Sequence, residues 1–108
     1  MTVEGRVSST GTKVAPASGA GRWTVALASH VFTITFAEPY AEFLGATFTP
    51  EGGTAAVNLY VPTAVTWTAA SGSTKATLSV EWYDAGVAAA AADIAFSFCA
   101  RFSENRAP

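Results

Sequence analysis

Few side chains in this sequence are equipped for acid–base, nucleophilic or metal chemistry, and they are scattered. There is one histidine, His30, one cysteine, Cys99, and eight acids, among them Glu38, Glu42, Glu81, Asp84 and Asp93. A catalytic histidine needs a nucleophile and an orienting acid within hydrogen-bond reach. No G-x-S-x-G elbow occurs, and Ser29 beside His30 reads as a turn residue. Cys99 shares a strand face with Arg101, a cation that favours a thiolate, yet one thiol inside an apolar run reads better as a small structural side chain. Zinc needs clustered ligands, which a single His and a distant single Cys do not supply. Glu81, Asp84 and Asp93 have the oxygen chemistry to meet around Ca²⁺ at a loop end. Two turn-forming acids and a strand-surface acid account for them equally well. Glu38 and Glu42 flank Pro39-Tyr40, which reads as an apolar plug rather than as the facing carboxylates of a glycosidase. Gly19-Ala20-Gly21 and Gly52-Gly53 lack the lysine and helix of a phosphate loop. The expectation is no catalytic residue, no metal and no cofactor: a protein that binds or assembles, not an enzyme.

Composition narrows the partner. The 108 residues are 50% hydrophobic and 13% charged, with a formal net charge of -2. That length fits one domain, since domains commonly run about 100–150 residues. The six basic residues, Arg6, Lys13, Arg22, Lys75, Arg101 and Arg106, form no cluster able to track a phosphate backbone. Nucleic acid and anionic membrane surfaces are therefore not expected partners. The start, Met1-Thr-Val-Glu-Gly-Arg6, shows no basic region followed by an apolar one, so no signal peptide is expected. No apolar run approaches the roughly 20 residues of a membrane helix. The lone Cys99 allows no internal disulfide and suits synthesis in a reducing cytoplasm.

The elements that must position these residues are strands. Trp23, Val25 and Leu27 alternate with Thr24 and Ala26, and Phe32, Ile34 and Phe36 with Thr33 and Thr35. This period of two marks half-buried strands, joined here as a hairpin through Ala28-Ser29-His30. Pro39 ends the second strand, after which Tyr40, Phe43 and Leu44 plug one end of the core. Further strands are expected over 46–50, 57–61 (ended by Pro62) and, as a short edge, 65–68. Two more run over 77–83, with Leu78, Val80 and Trp82 inward, and over 94–103. In that last run Ile94, Phe96, Phe98, Ala100 and Phe102 share one face, with Ser97, Cys99, Arg101 and Ser103 on the other. Val87–Ala92 is the one helix candidate, because alanine favours helix. It is too short to stand alone. Seven or eight short strands at this spacing predict an all-β, single-domain antiparallel β-sandwich, jelly-roll or Ig-like. Residues 1–21, Gly- and Ser/Thr-rich, read as an extended N-terminal arm with a short strand near Val3–Val7, and 22–108 as the sandwich domain.

Aromatic placement yields the candidate contact surface. Trp23 and Trp82 fall on the apolar parity of their strands and belong to the core. Tyr60 and Tyr83 fall on the opposite parity and Trp67 on an edge segment. Together they would make an exposed patch for a subunit or a sugar. With Val3, Val7 and Val14 of the arm, Tyr60, Trp67 and Tyr83 are the expected partner contacts.

The order of features from about residue 22 to 103 resembles small virion proteins of tailed bacteriophages. The resemblance rests on a hairpin strand His30–Phe36, a Pro39-Tyr40-Ala41-Glu42-Phe43-Leu44-Gly45-Ala46 segment and a Gly/Thr-rich loop. It continues through an alternating strand Ala76–Val80, an Ala/Asp connection Ala88–Asp93 and a last strand Ile94–Phe102. It implies a capsid decoration (cement) protein, or another structural component of the virion, made in the host cytoplasm. Such proteins are often homotrimers whose arms reach neighbouring subunits, so the implied partners are further copies of itself and the major capsid protein. These motifs mark strands and plugs rather than a site, and no individual functional residue carries over. Charge-poor surfaces rich in Thr, Ala and Ser suit subunit packing independently. The alternative is a tail-fibre or carbohydrate-binding module that presents the aromatics to a glycan.

Overall fold

A computed structural model describes residues 2–14, 23–40, 42–51, 60–86 and 90–103. Its eight strands are β1 (Thr2–Val7), β2 (Trp23–Ala28), β3 (Val31–Phe36), β4 (Phe43–Glu51), β5 (Tyr60–Thr68), β6 (Thr77–Asp84), β7 (Ala90–Ala92) and β8 (Ala95–Phe102). They build two antiparallel sheets. One has the order β1-β8-β4. The other has the order β2-β3-β6-β5, with β7 also paired to β6. The protein is an all-β sandwich.

The core is aromatic and lies between the sheets. β8 contributes Phe96, Phe98, Ala100 and Phe102 from its inward positions, and β6 contributes Leu78, Val80 and Trp82, all buried. Rings from opposite sheets meet edge to face: Trp23 on Phe98 at 5.0 Å and 86°, Phe32 on Phe96 at 5.0 Å and 83°, Phe36 on Phe102 at 4.9 Å and 73°. Each such pair is worth about 0.5–1.5 kcal/mol beyond the area it buries. Tyr40 closes one end, fully buried and stacked on Phe102 at 4.1 Å. Phe43 joins it, half-buried on Trp67, but Leu44 does not: it is 57% exposed, at a register shift between Phe43 and Gly45.

The β2–β3 hairpin forms where the alternation places it, with Ser29-His30 as a two-residue turn. Both residues have positive φ, 49° and 68°. Those are the signs a type I′ turn requires, and that turn matches the twist of the flanking strands. Here it is made without the usual Asn-Gly.

Four expectations need correction. First, the strand expected near Val3–Val7 is present as β1, but Val3 and Val7, expected as partner contacts, are buried in the core. Gly5 makes this docking possible, because a Cβ there would collide with the Trp23 ring. Met1 and residues 15–21 of that arm lie outside the described residues. Second, Pro62 does not end a strand. β5 runs through it to Thr68 as one edge strand, where a proline needs no ladder partner on its outer side. An irregularity between Thr63 and Thr66 spans Ala64, at φ 49°. Third, Ala90–Ala92 of the helix candidate is strand, not helix. β3 pairs with β6 only as far as Glu81, and β7 takes up Trp82, Tyr83 and Asp84 beyond it. Satisfying those backbone groups outweighs the intrinsic preference of alanine, a matter of tenths of a kcal/mol per residue. Residues 87–89, like 57–59 of the expected 57–61 strand, lie outside the described residues. Fourth, Tyr60 lies on the inward parity, as shown below.

Candidate functional site

The chemistry-bearing residues are not gathered into one cluster. His30 sits on the exposed hairpin turn, its Nδ1 3.0 Å from Asp93 Oδ1, which ties the turn to the β7–β8 connection. Asp84 is buried on the opposite side of β6 from Glu81, and its Oδ1 accepts the Gly86 N–H at 2.9 Å. Glu81, Asp84 and Asp93 thus point three ways. Among the described residues, no group of three or more His, Cys, Asp and Glu could hold a metal ion. Cys99 is free and half-buried on the outward side of β8. It floors a shallow depression of about 280 Å³ with Glu4, Arg6, Thr47, Thr49 and Ser97.

The expected contact residues also separate. Val3 and Val7 are core residues and present nothing to a partner. Val14 is half-buried, its N–H donating to the Arg6 carbonyl at 3.0 Å, so the chain folds back along the free edge of β1. Tyr60 is paired with Asp84 and Trp67 with Leu78, both inward positions of β6, whereas Tyr83 is paired with Val61 on the outward side. Cross-strand partners share a face, so the three aromatics do not form one platform. Trp67 packs on Phe43, Phe36 and Phe102 as a flank of the core. The expectation failed at Tyr60 because its parity was counted from 57–61. The irregularity in β5 lets Tyr60 and Trp67, an odd number of residues apart, share the inward side.

What the fold does assemble is a pair of outward sheet faces of different character. On the β1-β8-β4 sheet the outward positions carry Glu4, Arg6, Glu51 and Arg101. Arg6 Nε reaches across β8 to Glu51 Oε1 at 3.2 Å, both side chains well solvated. On the β2-β3-β6-β5 sheet the register aligns hydroxyls instead. Thr24, Thr35, Thr77 and Thr68 form one cross-strand row, and Ala26, Thr33, Ser79 and Thr66 form the next. A third row, Ala28, Val31, Glu81 and Thr63, holds the one charge of these three rows. Thr63 Oγ1 donates to the Glu81 carbonyl at 3.0 Å, and Val61, Tyr83 and Ala91 finish the surface.

Sequence reasoning named Tyr83 on this face but missed the threonine rows. The signal was present in Thr33-Ile34-Thr35 and Thr66-Trp67-Thr68 as outward alternation, while the rows themselves exist only once the register is known. No protein-family model matches the chain, and no similar curated protein or solved structure is found.

Proposed function

We propose that the protein is non-enzymatic and acts by assembling through its surface, as a structural protein of a virion. In the specific form implied by the resemblance above, it is a capsid decoration protein, homo-oligomeric, that bridges capsid subunits and holds the head through buried area. The observation that carries the assembling role is the outward face of the β2-β3-β6-β5 sheet: three full rows across four strands with a single carboxylate. Depletion of charge over a continuous patch marks surfaces that become buried against a partner. An aromatic core keyed between two sheets suits a rigid clamp. The capsid part of the reading rests on the resemblance alone.

The test is cosedimentation of the purified chain with expanded, undecorated heads of a tailed phage. Binding that saturates at a fixed ratio to capsid subunits is the expected result. A chain that stays in the supernatant while remaining folded overturns the capsid role.

A further inference from the structure

We propose that the hydroxyl face of the β2-β3-β6-β5 sheet is an isologous contact, on which a second copy of this chain packs face to face. The inference rests on the assembling role proposed above and names the surface and the partner. Size is the first support. Four strands about 4.8 Å apart and three rows about 6.8 Å apart give a footprint of about 19 Å by about 20 Å, roughly 400 Å² per copy. Two copies together cover about 800 Å², the size of a weak, concentration-dependent contact rather than a permanent one. Shape is the second. Thr, Ser and Ala stand barely above the backbone, so two such faces can approach closely, as sheets do when they pack aligned.

Charge is the third support, and it fixes the orientation. Lys75 is exposed two residues ahead of β6, and the alternation of exposure runs from it through buried Ala76 to the outward Thr77, Ser79 and Glu81. A two-fold axis lying between the faces and crossing β6 near Leu78 runs the two β6 strands antiparallel. It brings Glu81 of each copy over Lys75 of the other and Ser79 over Thr77. The one carboxylate of each face thereby meets one opposite charge from the other copy, and the pair forms twice in the dimer.

The test is light-scattering mass on a sizing column across a concentration series, with thermal unfolding to show that each variant is folded. The unmodified chain is expected to show a concentration-dependent dimer or an even-numbered assembly built from it. Ser79→Arg, which puts an unpaired charge at the centre of the contact, is expected to weaken dimerisation by about 100-fold or more. Glu81→Lys and Lys75→Glu should each weaken it, and the doubly swapped chain should recover it, because the swap restores both pairs. Thr47→Arg, on the other sheet, should leave it unchanged. A dimer insensitive to Ser79→Arg, or one the double swap fails to restore, overturns this face and orientation while leaving an assembling protein. A chain that stays monomeric at millimolar concentration overturns the self-contact altogether. Head cosedimentation then decides the broader reading separately, since a monomer can still bind heads.

Discussion

The two outward faces of this sandwich rest on one core and differ in almost every surface property. The β1-β8-β4 face is narrow, carries Glu4, Arg6, Glu51 and Arg101, and spends one of its pairs on the Arg6–Glu51 bridge across β8. The β2-β3-β6-β5 face is wider and nearly uncharged, with threonines in register. Charged side chains on an edge-rich sheet keep it solvated and discourage stray strand pairing. A hydroxyl face does neither, yet it costs little to desolvate when every hydroxyl finds a neighbour. The difference teaches that the two sheets diverge in what they expose, because what they bury is the same aromatic layer.

The strongest way to break the comparison is to remove that shared layer. Phe96 is fully buried and touches rings from both sheets, Phe32 at 5.0 Å and Trp82 at 5.5 Å, with Phe48 of its own sheet at 6.1 Å. Phe96→Ala is expected to cost about 3–5 kcal/mol. Denaturant unfolding should show the loss as a lower midpoint for the whole domain, with both faces lost together. Two separate transitions would mean that the sheets do not share one core.

A more selective perturbation acts at Gly5. This residue lets β1 lie against Trp23 and Phe98, where any Cβ meets ring atoms. Gly5→Ala is expected to destabilise by about 1–3 kcal/mol through overpacking. The damage should concentrate on β1 and its contacts, because β1 pairs only with β8 apart from the short return at Val7 and Lys13. Hydrogen exchange should show amides of Thr2–Val7 losing protection well before those of β3 and β6. Equal loss in both sheets would show that β1 is not a separable flank.

Gly5 also shows where the sequence is legible and where it is not. Inward alternation in 23–27, 32–36, 78–82 and 94–102 reads directly as strand and core, because large apolar residues at every second position leave no other arrangement. β1 is legible as a short strand near Val3–Val7, but its burial is not: its inward positions are Val3, Gly5 and Val7, and the middle one has no side chain to count. Its fit depends on a ring brought from Trp23, which no local pattern reveals. β5 hides for another reason: the apolar alternation of 57–61 points Tyr60 outward, its pairing with Asp84 turns it inward, and the irregularity near Ala64 then brings Trp67 to the same side. β7 is strand because β6 has backbone groups to satisfy there, a tertiary demand on a run of alanines. The threonine rows combine both lessons. Each threonine was visible as an outward residue, but a row across four strands is a product of register. Register comes from the hairpin turn and the pairing of distant strands, not from any one segment.

The smallest effect sharpens the contrast most cleanly, because it separates charge from hydroxyl. Arg6 and Glu51 are solvated enough that their bridge contributes little, and exposed pairs of this kind measure between zero and about 1 kcal/mol. Arg6→Ala should therefore lower stability by less than about 1 kcal/mol. The deficit should shrink as salt is raised toward ~1 M, where the screening length falls to about 3 Å. Thr35→Val on the opposite face keeps the shape of the side chain and removes only a hydroxyl that sits between Thr24 and Thr77. Its effect should be a few tenths of a kcal/mol, the scale of one cross-strand pair, and indifferent to salt. Thermal melts of the two variants at low and high salt make the comparison. If Thr35→Val proved salt-sensitive, or Arg6→Ala did not, the division of this surface into a charged face and a hydroxyl face would not describe its energetics.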